Sequence, residues 1–149
     1  MTLSTRKPTA KPSWPILLVA GGEKTGKSWA CAVASASPKI GRTLWLSIGE
    51  KDPDEYGALP GADFEIIEHD GTYKGILQAL ADVASLPKSD LPVLLIVDSM
   101  TRLWDLITDN AQGRANQRPK NVDNVITMDL WNQAKGFWQH AVKAIMAHD

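Results

Sequence analysis

Apolar and polar positions along the chain fall into alternating blocks of two kinds. Residues 15–20 (PILLVA) are a continuous apolar run, the pattern of a strand buried on both faces of a parallel sheet. Residues 26–36 then read as a helix, stopped by Pro38. A second strand is predicted at 42–48 (RTLWLSI) and a shorter third at 63–68 (DFEIIE). In 72–86, Ile76, Leu77, Leu80, Val83 and Ala84 recur at helical spacing, and Pro87 closes the segment. Residues 92–98 (PVLLIVD) form the strongest strand signal, followed by a short helix over MTRLWDLI. Residues 108–124 (TDNAQGRANQRPKNVDN) have almost no apolar content and read as a long polar loop. A final long helix spans 126–148, with Met128, Trp131, Ala134, Trp138, Ala141, Val142 and Ile145 as its apolar stripe.

Strands alternating with helices imply an α/β fold: parallel βαβ units with helices on both faces of the sheet. In such folds the loops at the C-terminal ends of the strands gather on one edge, where ligands bind. The predicted domain covers 14–149. Residues 1–13 carry Arg6, Lys7 and Lys11 with no acid and are broken by Pro8 and Pro12, which predicts a flexible basic tail.

Composition narrows the classes without selecting one. The 149 residues are 44% hydrophobic and 22% charged, ordinary for a globular domain with a sizeable core. A net charge of -1 gives no global signal for nucleic acid or membrane, so such a partner needs a local patch. No apolar run approaches the length of a membrane span. The single cysteine, Cys31, leaves neither a disulfide framework nor a cysteine-based metal cluster within one chain, which fits a reducing cytosol. Trp131 and Trp138 lie seven residues apart on one helix face, the spacing of core packing.

The informative chemistry lies where the first predicted strand meets the first predicted helix. Gly21-Gly22-Glu23-Lys24-Thr25-Gly26-Lys27-Ser28 matches G-x-x-x-x-G-K-[ST]. Glycines let the backbone curl so that several N–H groups face one anion, and the following helix adds its positive dipole end. A lysine at position 27 reaches the β- and γ-phosphates, and the Ser28 hydroxyl suits Mg²⁺. The other reading is a plain glycine-rich turn.

Two acids belong to the same predicted edge. Asp98 ends the run LLIVD, where a carboxylate is out of place as packing but suits a Mg²⁺ ion; the other reading is an N-cap, a role open to Ser99 as well. Glu50 follows TLWLSIG at the tip of another strand, where a carboxylate can orient and deprotonate water; the other reading is a solvated start to the acidic loop EKDPDEY.

Together, GGEKTGKS, LSIGE and LLIVDS resemble the RecA-like P-loop ATPases in content and order. The compact length and long tryptophan-containing last helix look most like bacteriophage RecA-like, AAA-type ATPases of the minimal-recombinase, single-strand annealing kind. The resemblance implies a three-layer P-loop NTPase with a mostly parallel central sheet. It also implies ATP and Mg²⁺ as cofactors, with Gly21, Gly22, Glu23, Lys24, Thr25, Gly26, Lys27, Ser28 and Trp29 around the nucleotide. Ser28 and Asp98 would hold the metal, and Lys27 and Glu50 would be catalytic. It further implies single-stranded DNA on a loop after the Asp-Ser strand, with Arg114, Arg118 and Lys120 as candidates on 108–124, a homo-oligomer, and the cytoplasm (that of the host, for a phage protein) as location. The loop has no aromatic residue for base stacking, and an ordinary solvated loop is the other reading. One departure is expected: in that class a further strand after the long helix inserts between the phosphate-loop strand and the Asp strand, whereas this sequence stops at AIMAHD. The expectation is a core lacking its C-terminal strands, a strand supplied by another chain, or the two motif strands as direct neighbours.

Three function classes therefore stand: Mg²⁺-dependent ATP hydrolysis coupled to single-stranded DNA in recombination or annealing; a small-molecule or nucleotide kinase using 108–124 as a lid; and a DNA-binding module that holds ATP structurally. NVDN has no strand before it and does not read as a guanine signal, which favours ATP.

Overall fold

Three stretches, two of them strongly apolar, lie side by side as a small parallel sheet. The computed structural model describes residues 3–8, 10, 14–51, 53–119 and 123–147. Its elements are α1 (Lys27–Ser35), β1 (Arg42–Ser47), a 3₁₀ turn at Pro53–Ala58, β2 (Glu65–Ile66), α2 (Tyr73–Ala84), β3 (Val93–Asp98), α3 (Met100–Asn116) and α4 (Met128–Met146). The sheet has the order β2-β1-β3, all parallel. β1 and β3 pair in register from Arg42 opposite Val93 to Ser47 opposite Asp98, so both strands end level.

Alternation along β1 divides the core. Leu46 and Ile48 share a buried cluster with Ile76 and Leu80 of α2, Leu103 and Ile107 of α3, and Leu130, Ala134 and Ala141 of α4. Trp45 faces the other way, into a smaller cluster with Ala32 of α1 and Ile96 of β3. The chain is thus an α/β protein with α1 on one face of an open three-stranded sheet and α2, α3 and α4 on the other. Each fully buried Leu or Ile contributes about 1.5–3 kcal/mol of apolar burial. Trp131 and Trp138 pack against this core as their spacing predicts: Trp104 of α3 stacks on Trp131 at 6.3 Å and meets Trp138 edge-on at 5.6 Å. Among the described residues no helix is long and apolar enough to cross a membrane.

Three expectations are corrected. The strand predicted at 15–20 does not form: residues 14–20 carry no regular structure, and Leu17 and Leu18 are 80% and 87% exposed. Apolar composition supplies only propensity, and a strand also needs a neighbour's hydrogen bonds. In the described ladder β3 pairs on its β1 side alone. Second, 108–116 is not loop or lid but the second half of α3, which runs to Asn116. Leu103, Ile107, Ala111 and Ala115 repeat every four residues and are all buried, so two alanines continue the stripe that larger side chains begin. Third, Met128 is 71% exposed, and Leu130 takes the buried position at the start of α4. Of the basic tail, residues 3–8 and 10 carry no helix or strand, while 1, 2, 9 and 11–13 lie outside the described residues, as do 120–122, 148 and 149.

The α3–α4 connection is tied by charge. Arg118 donates to Asp129 Oδ2 at 2.5 Å and Oδ1 at 3.1 Å, and to Thr127 Oγ1 at 2.9 Å. Bonds from Arg118 and then Thr127 hold the Asp129 carboxyl well below the usual carboxylate range. A depressed folded-state value means that the pair's stabilisation is present above the ordinary carboxylate pKa and is lost as pH falls through the folded one. The Asp129→Asn variant will therefore show a flatter loss of stability below about pH 4 than the parent in urea titrations, by a small margin because the pair is exposed. Helical continuity of α3 predicts that Gly113→Ala raises stability by about 0.5–1 kcal/mol, since an added Cβ meets nothing within 4 Å; no gain in thermal or urea unfolding would return 108–116 to a loop. Replacing Ile107 with Ala will cost about 2–5 kcal/mol in the same assay.

Candidate functional site

The glycine-rich loop adopts the curl that its composition requires. Gly26 sits at φ 85, a left-handed conformation open to glycine, and starts α1. Thr25 Oγ1 donates to Gly22 O at 2.8 Å, and a Cβ on Gly21 would lie 2.7 Å from that hydroxyl, so a side chain there would push the hydroxyl from its place. Lys24 also has positive φ, at 57. Lys27 Nζ donates to Gly22 O at 2.7 Å and Gly21 O at 3.1 Å, which holds the ammonium over the loop's own carbonyls. Trp29 is half-exposed on α1, and Glu23 is exposed like the rest of the 21–26 loop.

Ser28, one residue into α1, joins this loop to the sheet. Its Oγ donates to Asp98 Oδ2 at 2.7 Å across 70 residues of sequence. Asp98 is the last residue of β3, and the Asp98–Ser99 peptide is cis. The N-cap of α3 is Ser99, whose Oγ accepts from Arg102 N at 3.4 Å, so the capping role falls on the serine and the Asp98 carboxylate faces Ser28. One turn further along α1, the Cys31 thiol is pushed up by burial and, secondarily, by the Asp98 charge.

Because β1 and β3 end level, Glu50, three residues beyond Ser47, arrives on the edge that carries Asp98. A cavity of about 440 Å³ opens there, lined by Ser28, Asp98, Glu50 and Lys51, and by Pro53, Asp54, Glu55 and Tyr56 of the 3₁₀ turn. The structure therefore brings together Ser28, Asp98 and Glu50, which lie far apart in sequence. Sequence reasoning read this segment, EKDPDEY, as an acidic loop and gave Tyr56 no role. Tyr56 lines the cavity while its ring stacks on Trp45 at 6.1 Å with 9° between planes, and its signal was an aromatic residue a few positions past a strand tip.

The arginines proposed for DNA lie elsewhere. Arg114, on α3, donates to Gln133 of α4. Arg118 is engaged by Asp129 and Thr127, as described above, and Lys120 lies outside the described residues. Neither arginine lines the cavity.

Among the described residues, no cluster of three or more His, Cys, Asp or Glu side chains is arranged to hold a metal ion. The Ser28 hydroxyl and Asp98 carboxylate do form an oxygen pair, and Mg²⁺, which keeps several of its waters, commonly takes no more than one or two protein oxygens. The residues present fit that ion. Compared with known proteins, the chain matches no protein-family model, no curated protein and no solved structure.

Proposed function

We propose that the chain is a RecA-like P-loop NTPase that binds ATP with Mg²⁺ on the 21–28 loop and hydrolyses it at the Glu50 edge. The observation that carries the reading is the 2.7 Å bond between Ser28 and Asp98, which joins the end of the glycine loop to the tip of β3 beside the cavity that Glu50 lines. A glycine-rich turn serving packing alone has no need of that carboxylate.

In this reading the loop's N–H groups and the N-terminus of α1 bind the phosphates. Lys27 exchanges its two loop carbonyls for phosphate oxygens. Ser28 and Asp98 would hold the ion, which would supply neutralisation of phosphate charge. Glu50 accepts a proton from a water whose oxygen attacks the γ-phosphorus. The bond from that phosphorus to the β–γ bridging oxygen breaks, giving ADP and inorganic phosphate. Tyr56, backed by Trp45, offers a flat apolar surface on the cavity wall that suits a base. Coupling to single-stranded DNA in phage-type recombination or annealing, and assembly into a homo-oligomer, rest on the resemblance alone.

The test separates binding from chemistry. Lys27→Ala will weaken ATP binding by about 10–100-fold, the loss of a charge-assisted contact. Glu50→Gln will keep binding within about threefold and lower turnover by about 10²–10⁴-fold. Equal ATP affinity in parent and Lys27→Ala, read by calorimetry, would sink the proposal. Added single-stranded DNA should raise turnover. Binding without turnover in the parent would leave a nucleotide-holding module, and phosphate transfer to an added acceptor would make it a kinase.

A further inference from the structure

The end of β1 is held by a side chain where a sheet would ordinarily use backbone. On its β2 side, Ile67 N–H donates to Trp45 O at 2.8 Å. Two residues on, the next carbonyl of that edge, Ser47 O, lies 2.6 Å from His69 Nε2. Gly71 N–H donates to His69 Nδ1 at 3.0 Å, so Nδ1 carries no proton and Nε2–H is the donor to Ser47. On the opposite edge the next amide, Ile48 N–H, donates to Asp98 O at 2.6 Å. The peptide that launches the Glu50 turn is thus clamped between an imidazole and the backbone of β3. The buried Ser47 hydroxyl adds longer contacts to Glu50 O at 3.5 Å and Lys51 O at 3.4 Å.

We propose that His69 is a positioning residue that fixes the Ser47–Lys51 turn, and with it Glu50, at the rim of the cavity. Its kinetic consequence rests on the reading of Glu50 as the group that orients water. The clamp has two halves: Gly71 N–H holds Nδ1 and so aims the ring, and the aimed ring holds Ser47 O. Loss of either contact frees the β2-side edge of the turn.

The experiment compares the Ser47–Lys51 amide resonances and their hydrogen exchange, by NMR, in the parent, His69→Gln and His69→Ala. A glutamine amide can still donate to Ser47 O, whereas alanine cannot. In His69→Ala these amides will shift and exchange about tenfold or more faster; in His69→Gln they will stay close to the parent. Steady-state turnover supplies the second readout. His69→Ala will lose about tenfold or more in kcat with little change in KM, and His69→Gln will recover most of it. Amides in His69→Ala that match the parent in shift and exchange, or a kcat in His69→Ala equal to the parent's, would overturn the proposal. If the parent does not turn over ATP, hydrolysis is lost as a reading while the amide comparison still decides whether His69 positions the turn.

Discussion

The hydrogen bond from Ser28 to Asp98 is the constraint on which the architecture of the site depends. It joins a helix N-terminus to the tip of a strand 70 residues away, and so fixes where the glycine-rich loop stands relative to the sheet. Everything else at that edge is placed by the parallel register of β1 and β3. Ser47 and Asp98 end level, so whatever follows β1 must emerge beside Asp98. Glu50 and the 3₁₀ turn follow at once and close the cavity over the Ser28–Asp98 pair.

This edge is carried by a core that is asymmetric across the sheet. The larger cluster, under α2, α3 and α4, anchors Leu46 and Ile48, the residues on either side of Ser47. The smaller one seats Trp45, whose ring in turn supports Tyr56 at the cavity wall. Packing on both faces therefore converges on the last residues of β1. The His69 contact to Ser47 O acts on the same short stretch, from the β2 side. A turn that must present a carboxylate at a set place is better held by several short bonds than by one, because each removes a different direction of movement.

Much of the fold was legible from pattern. The helices near 27–35, 73–84 and 128–146 and the strands at 42–47 and 93–98 follow their apolar spacing closely, since a core-facing stripe or a run buried on both faces depends on local sequence. The second half of α3 was hidden because its buried positions are alanines, which read as neutral in a segment dominated by polar side chains. Residues 15–20 misled in the other direction: they have the composition of an interior strand but are exposed and pair with no strand among the described residues. Arg114 and Arg118 looked like free cations on a loop, whereas they pair with Gln133 and Asp129, which only the α3–α4 packing brings near.

What the sequence by itself determined is the chemistry on offer: a loop that can curl around an anion, a lysine and a serine at its end, and two acids each just past an apolar run. It determined these because glycine freedom, strand periodicity and side-chain charge are local properties. Only the tertiary structure decided that Asp98 faces Ser28 while Ser99 caps α3, that Glu50 shares a cavity with both, and that Tyr56 and His69 belong to the same edge. Those outcomes depend on register and on helix–sheet packing, in which residues distant along the chain are placed by the burial of other residues altogether.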